Sequence, residues 1–124
     1  MSNPVLYFEI PAANLDRAEA FYSKVFGYDF ERQSVDGYEM ALFPFDQGGP
    51  GATGALAQGD VYVPSLNGPI LYFKVESIDD VLASAHANGG AVLYPKKDIG
   101  ELGFVAEIQD SEGNRIALSE QKPA

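Results

Sequence analysis

The 124-residue sequence has no cysteine and a single histidine, His86. The first absence excludes a disulfide framework, thiolate metal sites and a cysteine nucleophile, and it fits a reducing cytoplasm. The second leaves no pair of imidazoles for a metal and no force behind a Ser-His-acid arrangement. Basic residues are scarce too: eight Lys and Arg stand against eighteen Asp and Glu, a formal charge of −10. Such a surface repels nucleic acid and anionic membranes, so neither is expected as a partner. No apolar run approaches the roughly 20 residues of a membrane helix. The opening "MSNPVLYFEIP" has neither the basic nor the long apolar part of a signal peptide. A soluble cytoplasmic protein is expected. Phosphate loops are missing as well: "DQGGPG" and "NGG" carry no P-loop Lys-Ser/Thr and no strand-to-helix glycine fingerprint, and there is no G-x-S-x-G.

What is present reads as one ordinary globular domain. Apolar residues make up 46% of the chain and charged residues 21%, a balance able to bury a core without staples. "VLYFEI" is rich in β-branched and aromatic residues and too short for a helix, so a strand is expected from Val5 to Ile10, ended by Pro11. Asn14 can cap a helix in which Leu15, Ala18, Phe21 or Tyr22, and Val25 recur on one face, with Gly27 as its left-handed stop. "YDFERQ" and "YEMALFPF" follow as strands around the turn signal Asp36-Gly37. "ATGALA" is the candidate for a fourth strand. A Pro/Gly/Asn connector comes next, with a short extended piece at Val61 to Val63.

Then the pattern repeats. "ILYFKV" is a strand, "SIDD" a capping box at Ser77 to Asp80, "NGG" a helix stop, and "AVLYPK", "GFVAEIQD" and "RIALSE" are strands, the last two joined by the turn "DSEGN". An offset of 63 residues lays Asn14 on Ser77, Leu15 on Ile78, Ala18 on Val81 and Gly27 on Gly90. The chain therefore reads β-α-β-β-β twice, an α+β fold. The two sheets are expected to pack together, with one helix covering the back of each.

The doubled module, "FEIPAANLDRAEAFYSKVFGY", "YVPS" and "PKKDIGELGFVAEIQDSEGNRIAL" resemble the vicinal oxygen chelate superfamily, which includes glyoxalase I, bleomycin-resistance proteins and extradiol dioxygenases. Within it the chain is most similar to small bacterial glyoxalase-like members of unassigned substrate. The resemblance implies tandem βαβββ modules forming a curled half-barrel around a cavity, in a homodimer. It implies a single domain over 1–124, with module one at about 4–58, a connector at about 59–68, module two at about 69–120 and a polar tail at 121–124. In the superfamily's metal enzymes, ligands from the first and last strands of each module hold an ion that chelates two substrate oxygens. Here those positions fall on Tyr7, Ile70 and Ala117, and the fourth strand of module one offers only Thr53. Isoleucine and alanine cannot bind a divalent ion and a neutral phenol is a poor ligand, so no metal and no other cofactor is expected.

Strand alternation puts Tyr7 and Glu9 on one face, and by the repeat Ile70, Tyr72 and Lys74 on the equivalent one. By the resemblance that face lines the cavity, so these side chains either touch a ligand or sit as packing and rim residues. Glu107 shares a face with Val105 and Gln109 and is a further candidate. A carboxylate set of Glu9, Glu107 and Glu120 holding Mg²⁺ or Mn²⁺ is an alternative without supporting spacing. Met40, Leu42, Phe43, Phe45 and Phe104 wall either an apolar pocket or the core. His86 is expected on the surface of the second helix.

The ligand-contact set is thus Tyr7, Glu9, Met40, Tyr72, Lys74, Phe104 and Glu107. The expected function is metal-free binding of an aromatic or cationic small molecule. The alternative is a glyoxalase-like lyase, isomerase or epimerase with Glu9 or Glu107 as base and Tyr7 or Tyr72 as acid. A protein-interaction module has no positive signal.

Overall fold

A computed structural model describes residues 3–123; Met1, Ser2 and Ala124, which belong to the expected domain and tail, lie outside the described residues. The first module consists of β1 (Tyr7–Ala12), α1 (Leu15–Phe26), β2 (Glu31–Val35), β3 (Tyr38–Leu42) and β4 (Thr53–Gln58), hydrogen-bonded in the order β1-β4-β3-β2. The second repeats it with β5 (Leu71–Lys74), α2 (Ile78–Ala87), β6 (Ala91–Asp98), β7 (Phe104–Gln109) and β8 (Arg115–Glu120), in the order β5-β8-β7-β6. A 3₁₀ turn, Gly100–Leu102, precedes β7. The first strand of each module runs parallel to its last, β1 to β4 and β5 to β8, and the other pairs are antiparallel. The α+β architecture of tandem βαβββ modules is present, with each sheet curled and neither closed into a barrel.

Local chemistry explains the repeat. The Asn14 side chain accepts from Arg17 N at 3.0 Å, and Ser77 accepts from Asp80 N at 3.2 Å, each satisfying an orphan amide of the first turn. A second contact recurs with them: Leu15 N donates to Gln58 Oε1 at 2.6 Å, and Ile78 N to Glu120 Oε1 at 2.7 Å. The residue that ends each module's last strand therefore pins the start of its helix. The correspondence slips at the helix ends. Gly27 takes the left-handed conformation after α1, but after α2 Gly89 does so rather than Gly90. Gly90 has another constraint, since a Cβ there would collide with the Gln109 carbonyl and the Phe21 ring.

Three expectations need correction. Pro11 does not end the first strand, which runs to Ala12 with Pro11 opposite Ala57. β1 is an edge strand, so the amide that proline lacks is not needed for a ladder. Tyr28 and Phe30 precede β2 and place their rings against the core instead of in a strand. Val61 to Val63 forms no strand: Val61 lies in a turn closed by Tyr62 N donating to Gly59 O at 3.0 Å, and Tyr62 and Val63 follow as irregular chain.

The modules also join differently from the expected packing of sheet on sheet. One core runs through both, with Ile10, Leu15, Tyr22, Phe43 and Leu56 from the first and Phe73, Ile78, Ile108, Ile116 and Leu118 from the second. These are helix-side residues. The Phe43 ring lies 5.6 Å from Tyr22 and 5.8 Å from Phe73, in edge-on arrangements. α1 also grips the β7–β8 turn, with Arg17 and Asn14 N bound to Glu112 and Asn114 Nδ2 bound to Pro11 O. The helix-side faces thus form the join, and the opposite face of each sheet lies outside this shared core.

Candidate functional site on the open sheet faces

Pairing register defines what shares the open face of the first sheet: Tyr7 and Glu9 of β1, Thr53, Ala55 and Ala57 of β4, and Tyr38, Met40 and Leu42 of β3. Met40, Ala55 and Ala57 are buried there as a small second core, covered by Tyr38, Leu42 and Tyr62. Tyr62 arrives from the connector. Its ring stands perpendicular to that of Tyr38, at 89° and 5.3 Å between centroids. Gly59 makes this possible, because a Cβ at that position would run into the Tyr38 ring.

Two tyrosines of this face, Tyr7 and Tyr62, converge on Glu9. Tyr7 Oη donates to Glu9 Oε2 at 3.0 Å, and Tyr62 Oη donates to Glu9 Oε1 at 2.8 Å, so each carboxylate oxygen is held by one phenol. Tyr7 Oη is also 3.8 Å from Met40 Sδ. Burial, reinforced by the hydrogen bond and charge of Glu9, pushes the Tyr7 phenol up to about 12. The bond to Glu9, then burial, raises Tyr62; the charge of Asp60, then burial, raises Tyr38. All three phenols are therefore protonated at neutral pH, and two of them act as donors to an oriented carboxylate. Glu9 makes no ion pair among the described residues.

The second sheet presents Tyr72 and Lys74 of β5, Ala117 and Ser119 of β8, Val105 and Glu107 of β7, and Tyr94 of β6 on its equivalent face. Here the carboxylate is compensated: Arg115 Nε donates to Glu107 Oε1 at 2.7 Å, and that bond raises the guanidinium further.

The seven sequence candidates thus divide. Tyr7, Glu9 and Met40 come together on the first sheet, and Tyr72, Lys74 and Glu107 share the second. Phe104 belongs with neither group. It lies on the helix side of β7, with Lys96 Nζ at 4.7 Å and Lys122 Nζ at 5.4 Å from its ring centroid. Nor does one cavity hold the set. An open cleft of about 360 Å³ includes Glu9 with Pro11, Val63, Asn114 and Arg115, and a second of about 390 Å³ includes Thr53, Tyr72 and Lys74. Phe43 is in the core, Phe45 is exposed, and His86 is exposed on α2.

Sequence reasoning missed Tyr38, Tyr62 and Arg115. Two had a readable signal, since Tyr38 alternates with Met40 and Arg115 with Ala117. Tyr62 had none, because it lies in a connector without periodicity.

The superfamily's metal positions do not fit a divalent ion. Tyr7 is committed to Glu9, Thr53 Oγ1 donates to Pro44 O at 2.7 Å, and Ile70 and Ala117 have no donor atom. The Glu9, Glu107 and Glu120 set does not assemble either: Glu107 pairs with Arg115, and Glu120 caps α2 with Lys96 3.9 Å away. Among the described residues no three His, Cys, Asp or Glu side chains form a group suited to a metal. No helix among them is long and apolar enough to cross a membrane.

Comparison with known proteins agrees with this architecture. A curated relative, CFP32 of Mycobacterium tuberculosis (strain CDC 1551 / Oshkosh), provisionally named a glyoxylase, is 27% identical over 118 residues, covering 90% of this chain. The chain spans only 43% of that relative's length. The trypanothione-dependent glyoxalase I of Leishmania major superposes with a TM-score of 0.71 at 22% identity, over 96% of this chain and 87% of that one. The fosfomycin resistance protein FosX of Listeria monocytogenes gives 0.72 at 15% identity, over 98% and 93%. At such identities the two structures establish the fold alone. The sequence profile of one family matches residues 5–118, nearly the whole chain, and the chain belongs to that family, the Glyoxalase/Bleomycin resistance protein/Dioxygenase superfamily.

Proposed function

We propose that this protein binds a small aromatic or cationic molecule on the open face of its first sheet, in the manner of the bleomycin-resistance branch of the superfamily and without a resident metal. The observation that carries this reading is the Glu9 carboxylate, oriented by Tyr7 and Tyr62, with the Tyr38 ring packed on that of Tyr62. A fixed acceptor among aromatic surfaces is what a small ligand needs for orientation and contact area. Tyr72, Lys74 and Glu107 would contribute from the second sheet.

We further propose a cytoplasmic homodimer. Leu6 at 90%, Phe45 at 71%, Val63 at 71% and Tyr72 at 57% exposure leave apolar surface that a second copy can cover. A dimer would also supply walls that the open clefts lack.

The second reading, a glyoxalase-like enzyme, draws on the Tyr7–Glu9 contact at 3.0 Å, a protonated phenol beside a carboxylate. The two readings separate in one experiment. Thermal unfolding and calorimetric titration with a panel of phenols, aromatic amines and organic cations are run beside turnover assays on glyoxalase-type substrates. Binding without turnover supports sequestration, since a ligand of the native state at 100 times its Kd adds about 2.7 kcal/mol. Turnover that is lost in both Tyr7→Phe and Glu9→Gln would establish the enzyme instead.

A further inference from the structure

We infer that the Glu9 site takes an organic ammonium ion, a methylated or quaternary amine carried by a small molecule, with the rings of Tyr38 and Tyr62 as its aromatic walls. This rests on the binding role proposed above and narrows it to one ligand class.

The argument starts from charge. The first module holds only three basic residues up to the connector, Arg17, Lys24 and Arg32. Arg17 is bound to Glu112, and Arg32 to Asp16 and Glu19 on the helix side of the sheet. Lys24 is in the last turn of α1. None is on the open face. That face instead carries Glu9, while Asp60 contacts Tyr38 Oη at 3.4 Å and Asp36 is close enough to act on both Tyr38 and Tyr62. Glu112 has Arg17, and Glu107 holds Arg115, a cation that lines the same cleft as Glu9; Glu9 itself has no ion-pair partner among the described residues. The missing positive charge is left for a ligand.

Geometry then selects the type of cation. Each Glu9 oxygen already accepts a phenol, which holds the carboxylate in place and leaves its outer lone pairs free. The Tyr62 ring next to it carries the Tyr38 ring at right angles, 5.3 Å between centroids, so the aromatic surface continues from the carboxylate in two directions. Met40 is buried beneath these rings, where its sulfur lies 3.8 Å from Tyr7 Oη and braces the cluster from below. A carboxylate held by two phenols at the edge of a tyrosine cluster suits a diffuse, weakly hydrated cation better than a compact metal ion, because cation–π attraction replaces water that an alkylammonium holds loosely. A neutral aromatic compound would use the rings and gain from Glu9 at most one hydrogen bond, without the charge pairing that an ammonium adds.

The test uses two isosteres, choline and its uncharged counterpart 3,3-dimethylbutan-1-ol, with 4-cresol as a neutral aromatic probe, titrated into the full chain by calorimetry and NMR at low and high salt. Choline is expected to bind about ten-fold more tightly than its isostere. The preference is expected to shrink with salt, to vanish in Glu9→Gln and to weaken in Tyr62→Leu. Tyr62→Phe, which keeps the ring and loses only the hydroxyl, retains most of it, provided the NMR spectrum confirms the native fold. Equal affinity for choline and its isostere, or a preference that survives Glu9→Gln, overturns the ammonium assignment. Binding of 4-cresol without choline overturns it too while leaving the broader binding role intact, and binding of none of the three probes overturns both.

Discussion

The Tyr22 hydroxyl, on the first helix, donates to Oδ2 of Asp110, in the last turn of the second module, at 2.6 Å, and both side chains are buried. Asp110 also accepts from Glu112 N, Gly113 N and Asn114 N through Oδ1 and from Asn114 Nδ2 through Oδ2. One carboxylate thus shapes the β7–β8 turn and ties it to the opposite module. Tyr22→Phe is expected to remove one bond and cost about 1–2 kcal/mol, while Asp110→Ala, which strands several buried donors, costs more than about 3 kcal/mol. Urea denaturation of the two variants checks the order.

Alkaline pH should loosen the fold through the tyrosines. Burial first, then Asp110, raises Tyr22 well above the usual phenol range, and Tyr7 reaches about 12. A raised folded-state value means the native chain keeps protons that the unfolded chain releases. Stability from these groups is therefore whole below about pH 10 and is lost as pH rises beyond it. Absorbance titration should show phenolate appearing late and together with unfolding, and Tyr22→Phe should flatten the loss.

Acid should act at Glu112. Burial pushes this carboxyl up, but hydrogen bonds from Arg17, Asn14 N and Ser111 outweigh it and hold the group below its ordinary range. With the folded value depressed, the contribution is present above about pH 4.5 and is lost as pH falls through the folded value. Glu112→Gln is expected to lower stability at neutral pH by about 1–2 kcal/mol and to reduce its acid dependence. Thermal melts between neutral and acid pH measure both effects.

Divalent metals should leave the melting temperature where it is. Tyr7, Thr53, Ile70 and Ala117 offer no imidazole or carboxylate, and Glu9 and Glu107 lie on different sheets. Elemental analysis of tag-free protein and melts with Ni²⁺, Zn²⁺, Mn²⁺ and Mg²⁺ test this. Stoichiometric uptake, or a shift with one ion, would point to a ligand set assembled between two copies of the chain.

Gly54 offers a stability test independent of the site. A Cβ there would overlap the Phe8 carbonyl across the β1–β4 ladder, which backbone cannot yield without shifting a strand. Gly54→Ala is expected to cost at least about 1–3 kcal/mol, read from the denaturation midpoint.

Much of this molecule could be read from local patterns. The capped starts at Asn14 and Ser77, the helical stripe from Leu15 to Val25, and the Asp36-Gly37 turn all depend on neighbours a few residues away. So did the facing of Tyr7 with Glu9 and of Tyr72 with Lys74, because alternation follows from the pleat. Of the four residue pairs matched by the 63-residue offset, only the helix stop slipped, where the close approach of Gln109 claims Gly90.

By itself the sequence determined the two βαβββ modules, the absence of donors at the superfamily's metal positions and the acidic balance of the surface. These follow from residue type and short-range periodicity. The tertiary structure alone decided which faces joined the modules, that Phe104 turned toward the helix-side core, and that Tyr62 left its connector to meet Glu9 across 53 residues. Contacts of that range depend on how the core packs and on where the chain returns, and no local pattern encodes either.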